Sequence, residues 1–148
     1  FPAVRVLYLR RTVTDYPAEG DLWVTFRGPV AALTAHDPSA FGNLGGATYF
    51  DEEYRDSDVE MATWREYHGD QTPEGGYEIV HLPEQRVATV THRGGFETIN
   101  EATGAAGAWV TQQQRTRTGP IFNVYVHGPG RDPNPENWIT EVNVPIGA

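Results

Sequence analysis

The sequence predicts an α+β fold: duplicated strand–helix–strand–strand units sharing a curved antiparallel sheet, two helices on one face and a cleft at the pseudo-twofold axis on the other. Three observations predict it. Near the end of the chain, GPIFNVYVHG and WITEVNVPI alternate with a period of two on either side of a Pro/Gly/Asn-rich turn, the pattern of an antiparallel hairpin. GGATYFDEE and SDVEMATW repeat that arrangement earlier. Pro2 and Pro83, Arg5 and Arg86, and Glu60 and Glu141 are each 81 residues apart, which reads as an internal duplication.

Taken in order, residues 3–13 (AVRVLYLRRTV) alternate and are rich in β-branched side chains, so they read as a strand. Val4, Val6 and Tyr8 share one face, Arg5, Leu7 and Leu9 the other, and both faces should be partly buried. Tyr16-Pro17 closes this strand. Leu22, Trp23, Phe26, Val30 and Leu33 then recur near helical spacing over 18–35, with Glu19 and Asp21 in the first turn, where acids suit the helix dipole. Gly28-Pro29 predicts a kink or two shorter helices, because an interior proline costs about 3 kcal/mol. Residues 36–46 read as a loop before the first hairpin, and 65–76 (REYHGDQTPEGG) as the linker between halves. Strands follow over 77–82 and 86–92, interrupted at Pro83. Arg93-Gly94-Gly95 turns into a helix over 96–114, with Phe96, Ile99, Trp109 and Val110 as its apolar contacts. Its glycines, Gly104 and Gly107 among them, weaken it by about 1 kcal/mol each relative to alanine. The expected organisation is one domain, 1–148, with pseudo-repeats at about 2–65 and 77–146.

The hairpins also suggest a site. If the apolar set Phe122, Val124 and Val126 packs on a helix, Tyr125 and Glu141 share the opposite face, and Tyr49 and Glu60 form the first copy of that pair. A carboxylate beside an aromatic ring on rigid strands suits a flat organic cation.

At 148 residues the chain can bury one real core. It has no cysteine, which excludes disulfides, thiolate catalysis and Cys-ligated zinc. No run approaches the length of a membrane span and no signal peptide is visible, so a cytoplasmic, non-membrane protein is expected. The chain opens at Phe1, which suggests a domain excised from a longer protein. A formal charge of −9 repels phosphate backbones, so this segment should not bind nucleic acid by itself, and it favours a cationic ligand. Histidines at 36, 68, 81, 92 and 127 form no metal motif, and no GxSxG, P-loop or dinucleotide fingerprint occurs. No catalytic residue, cofactor or metal is expected.

LPEQRVATVTHRGGFETI, a helix ending in Trp109, GPIFNVYV and NWITEVNVPI together resemble the GyrI-like small-molecule-binding domain, which recurs as the C-terminal effector domain of MerR- and AraC-type transcriptional regulators. RRTVTDYPAEGDLW and GGATYFDEEYRDSDVEM are similar to the corresponding part of actinobacterial MerR-type regulators. The resemblance implies a duplicated unit, an acidic residue on the last strand at Glu141, and aromatic side chains around a cleft that hold lipophilic, often cationic drugs. The ligand-binding residues expected on these grounds are Glu141, Tyr125, Tyr49, Trp109, Glu60, Asn123, Ile139, Trp23, Tyr16 and Phe41. A carboxylate in such a cleft is costly to desolvate unless a cation compensates it, which would select for charge. The partners expected are amphipathic aromatic or cationic small molecules. DNA would be reached only through a winged helix missing from this chain, in a homodimeric full-length regulator. The alternatives are a hydrolase of electrophilic small molecules, with Glu141 and Tyr125 positioning a water, and a stand-alone drug-sequestering protein.

Overall fold

The computed structural model describes residues 1–51, 56–128 and 131–147. The end of the predicted GGATYFDEE strand, at residues 52 and 53, lies outside them. The described residues form seven β-strands and two α-helices, and the pairings within each unit are all antiparallel, giving the α+β class that the alternation predicts. The chain makes two compact units, divided between Glu84 and Gln85, with Phe1 belonging to the second.

The first unit, Pro2–Glu84, contains β1 (Val4–Val13), α1 (Glu19–His36), β2 (Phe41–Tyr49), β3 (Val59–Tyr67) and β4 (Tyr77–Leu82), with strand order β4-β1-β3-β2. Leu22 and Phe26, one helical turn apart, bury the inner stripe of α1 against Leu7, Leu9, Val59, Met61, Tyr67 and Tyr77. Burying a side chain such as Phe26 contributes about 1.5–3 kcal/mol.

Four expectations are corrected here. The helix does not split into two: α1 is one helix of 18 residues with Pro29 inside it. Proline at 29 cannot donate to the carbonyl of Thr25, and that carbonyl instead accepts from the Tyr77 hydroxyl (3.3 Å), so the orphaned group is satisfied from β4. The loop expected over 36–46 is already strand from Phe41, and the linker expected from residue 65 begins only after β3 ends at Tyr67. Finally β4, which the sequence placed in the second half, pairs with β1 from Val4↔Leu82 to Leu9↔Tyr77.

The second unit, Gln85–Ala148 with Phe1, contains β5 (Val87–Arg93), α2 (Ile99–Gln112), β6 (Ile121–His127) and β7 (Ile139–Pro145), in the order β6-β7-β5. Phe1 is tied in by its ammonium group to the Gln85 carbonyl (2.7 Å), by the return bond from the Gln85 amide, and by its ring against Phe122 (5.0 Å). The core is made of small side chains: Ala102, Ala106 and Val110 of α2 meet Ala88, Val142, Val144 and Ile146, with Ile121 packed alongside.

That packing overturns the predicted face of β6. Directly paired residues of an antiparallel ladder share a side, and Asn123 lies opposite Val142, Val124 opposite Glu141, and Tyr125 opposite Thr140. Asn123 and Tyr125 therefore share the α2 side with Val142 and Val144, and Phe122 and Val124 point the other way. Tyr125 and Glu141 lie on opposite sides. A one-residue difference in register exchanges the faces of a whole strand, and the long connection between His127 and Ile139 imposes no register as a two-residue turn would. The 81-residue spacing is also not uniform. Thr12 pairs with Glu60 and Thr91 with Glu141, so the strands in register with the two glutamates are offset by 79 residues.

Candidate functional site

The chain leaves β1 through Asp15, whose Oδ1 accepts from the Ala18 amide (2.9 Å), and a 3-10 turn with Pro17 in it leads into α1. Tyr16, Glu19 and Trp23 follow at spacings of three and four, so they share one side of the helix entrance. Tyr49, at the end of β2, reaches this point from the sheet. Its hydroxyl donates to Glu19 Oε1, while Trp23 Nε1–H donates to Glu19 Oε2 (2.9 Å). The Tyr16 ring stands 6.2 Å from that of Tyr49, and Trp23 leans on Phe26 at 5.6 Å. Tyr16, Glu19, Trp23 and Tyr49 are all half-buried. Both oxygens of one carboxylate are thus fixed among three aromatic side chains that remain partly open to solvent.

The other side of the same sheet is different. Tyr49 pairs with Met61, so Glu60 lies on the side away from Tyr49, and the predicted Tyr49/Glu60 pair is not formed. Glu60 Oε1 instead accepts from Arg10 Nε (2.7 Å) and Nη2, and the Arg10 guanidinium stands 3.8 Å above the Phe50 ring. Trp64, fully buried, shares this side and donates to Thr48 Oγ1 (3.1 Å). Tyr8 also lies here, and burial raises its phenol pKa against the opposing pull of Arg10.

In the second unit Glu141 is half-buried, between Val124 of β6 and Thr91 of β5. Its side chain makes no hydrogen bond or ion pair with any described residue. On the α2 side, Tyr125 packs against Phe96 (5.5 Å), and Phe96 against Trp138 (4.9 Å). Asn123 is buried beside Val142, and Ile139 is half-buried opposite Arg93. Trp109, expected as a cleft wall, projects from α2 with 42% of its surface exposed. Phe41 packs in the first unit on Tyr67 (4.9 Å), with the Arg65 guanidinium 5.1 Å from the Phe41 ring centre.

Of the residues predicted, then, Tyr16, Trp23 and Tyr49 come together, and the acid among them is Glu19. The sequence reading treated Glu19 only as a helix-dipole residue, although its spacing to Tyr16 and Trp23 was the available signal. Trp64 was passed over as well. Its alternation with Ala62 and Glu60 places it on the side away from α1. No group of three or more His, Cys, Asp or Glu among the described residues could hold a metal ion, and none of the described helices is long and apolar enough to cross a membrane.

A family model described as the GyrI-like small molecule binding domain matches residues 1–146. No curated protein sequence matches the chain. Among solved structures, the C-terminal domain of EcmrR is similar, with a TM-score of 0.84 and 18% identity over 99% of this chain and 93% of that one. EcmrR in its complex with DNA gives 0.83 and 19%, with 99% of this chain matching 55% of the EcmrR chain. A hydrolase from Listeria innocua gives 0.65 and 11% over 99% and 88% of the two chains. SAV2435 bound to tetraphenylphosphonium gives 0.60 and 15%, over 100% and 91%.

Proposed function

The chain belongs to the GyrI-like small-molecule-binding domain family, and from that premise we propose that it is a ligand-sensing effector-binding domain for amphipathic, cationic aromatic molecules. The observation that carries this reading is the Glu19 carboxylate held by Tyr49 and Trp23 with Tyr16 alongside. Ring faces attract a flat cation by about 0.5–2 kcal/mol per contact and constrain its outline loosely, so they favour a range of ligands. The carboxylate supplies the choice of sign. A formal charge of −9 raises the local concentration of cations. SAV2435, of like fold, holds tetraphenylphosphonium, a ligand of this chemistry. Glu141 is the second anchor for a cation, on the side of the β6–β7 pair away from Tyr125 and Phe96. In a MerR-type regulator, DNA contact and dimerisation would come from other segments, and the ligand would act by favouring one arrangement of the whole protein.

The test is a fluorescence titration with a cationic dye and its neutral analogue. Glu19→Gln is expected to weaken the cation about 10–100-fold, the worth of a charge-assisted contact, and to leave the neutral analogue unchanged. Should Glu141→Gln give that loss instead, the carboxylate that selects the ligand is the one on β7. If neither substitution separates the two dyes, the reading fails.

The Listeria relative favours a second reading, hydrolysis. Glu141 would then have to activate a water without Tyr125, which lies on the other side of the β6–β7 pair. Turnover of an electrophilic substrate that vanishes in Glu141→Ala would establish it.

A further inference from the structure

Arg10, Phe50 and Glu60 make an arrangement that a binding site for a planar cation would need. A guanidinium lies 3.8 Å above a ring and gives two N–H groups to one carboxylate oxygen. The Glu60 backbone is anchored on both sides, since its amide donates to Asp51 Oδ2 (2.9 Å) and its carbonyl accepts from the Phe50 amide (3.1 Å). We propose that this is a guanidinium-class cation site filled from within by Arg10, and that Arg10 thereby decides which strand glutamate an outside cation can reach.

The second unit supplies the comparison. Arg10 lies opposite Ala62 and Thr89 opposite Asn143, each two residues past its glutamate on the same side of the ladder. Where the first unit has Arg10, Phe50 and Glu60, the second has Thr89, Val124 and Glu141. Thr89 spends its hydroxyl on Asn143 Oδ1 (2.7 Å), and Glu141 has no ion pair among the described residues. The same strand position is therefore ion-paired in one unit and without an ion pair among the described residues in the other, and the difference is set at Arg10. A tethered guanidinium acts at an effective concentration of about millimolar or above, so free cations of modest affinity do not displace it. Asp51 holds the Glu60 backbone whether or not Arg10 is present.

The experiment titrates ethylguanidinium into the wild type, Arg10→Ala and Arg10→Ala/Glu60→Gln, and reads the NMR shifts of the Phe50 ring and the thermal midpoint. Arg10→Ala is expected to bind with a dissociation constant of about a millimolar, with the Phe50 signals moving and the midpoint rising. The wild type should leave the Phe50 signals unmoved, whatever midpoint rise binding at Glu141 gives it, and the double variant should move them only at concentrations at least about tenfold higher than Arg10→Ala. Arg10→Gln, uncharged and with its aliphatic stem kept, gives the same contrast if Arg10→Ala does not fold. Equal movement of the Phe50 signals in the wild type and both Arg10 variants overturns the proposal, and so does movement that survives Glu60→Gln. Because the probe carries no aromatic body, the outcome is separate from that of the dye titration at Glu19.

Discussion

The two units follow one plan of strand, helix and paired strands, and they differ in what fills it. Each helix is entered through a 3-10 turn that begins with an aromatic residue, Tyr16 in the first unit and Phe96 in the second. Three residues on stands Glu19 in the one and Ile99 in the other, so at this position it is the first unit that brings a carboxylate to its rings. The strand glutamates show the reverse: Glu60 is taken by Arg10, and Glu141 has no side-chain partner among the described residues. The cores differ likewise. The first packs Leu7, Leu9, Phe26, Met61, Tyr67 and Tyr77, whereas the second packs Ala88, Ala102, Ala106 and valines. A shared backbone plan thus fixes where side chains stand, and the side chains decide which of those places binds and how much each core contributes.

The core contrast predicts opposite sensitivities. Phe26, 1% exposed and in contact with the Trp23 and Tyr77 rings, should cost about 3–5 kcal/mol when cut to alanine. Ala106, fully buried on the inner side of α2, should instead be intolerant of growth. Ala106→Leu is expected to cost about 1–3 kcal/mol by overpacking. Urea unfolding of both variants measures this, and a Phe26→Ala loss below that of Ala106→Leu would break the contrast.

What the sequence made legible followed from local pattern. Both helices, the strands and their antiparallel sense came from alternation, turn residues and helical spacing, which act over a few residues. What it hid depended on register. Nothing within FNVYV tells whether Phe122 or Asn123 faces α2, because both alternating sets contain residues that can be buried, and the choice is made by pairing with Val142 across a long connection. The continuity of α1 through Pro29 depended on Tyr77, distant in sequence. The candidate site was half legible for the same reason: Tyr16 and Trp23 announce themselves by helical spacing to Glu19, but Tyr49 joins them only once the sheet is assembled.

The glycines sharpen the comparison at smaller cost. An added Cβ at Gly104 or Gly107 of α2 meets nothing within 4 Å, so close approach to the sheet does not explain them. Gly104→Ala and Gly107→Ala should each stabilise the protein by about 0.5–1 kcal/mol. In the first unit Gly76 has φ +88°, and a Cβ there would come within 2.6 Å of Arg11 Nη1. Gly76→Ala is therefore expected to destabilise by about 1–2 kcal/mol. Thermal midpoints that move in the same direction for Gly76 and for the α2 glycines would contradict this assignment.

The smallest effect concerns one carboxylate in each unit. Asp37, just after α1, has its pKa lowered by the Ser39 hydroxyl and then the Ser39 amide, and Asp132, before β7, by the Asn134 amide and then the Asn137 side chain. In both cases the hydrogen bonds favour the charged form, so the folded pKa lies below the unfolded one. Such a group adds stability that is fully present above the ordinary carboxylate pKa of about 3.9 and is lost as pH falls through the lowered value. Asp132 also holds the chain that presents Trp138, whose indole donates to the Asp132 carbonyl (2.7 Å) and stacks near Phe96. Acidification below pH ~4 should therefore loosen Trp138 from Phe96 in the second unit, while in the first unit Asp37 holds only its own turn. Carboxyl titration by NMR should find both aspartates ionising below the usual range, and Asp132→Asn should remove the acid sensitivity of the Trp138 signal while Asp37→Asn leaves it. A Trp138 response that persists unchanged in Asp132→Asn would mean that something other than this carboxylate ties the β7 approach to its aromatic neighbour.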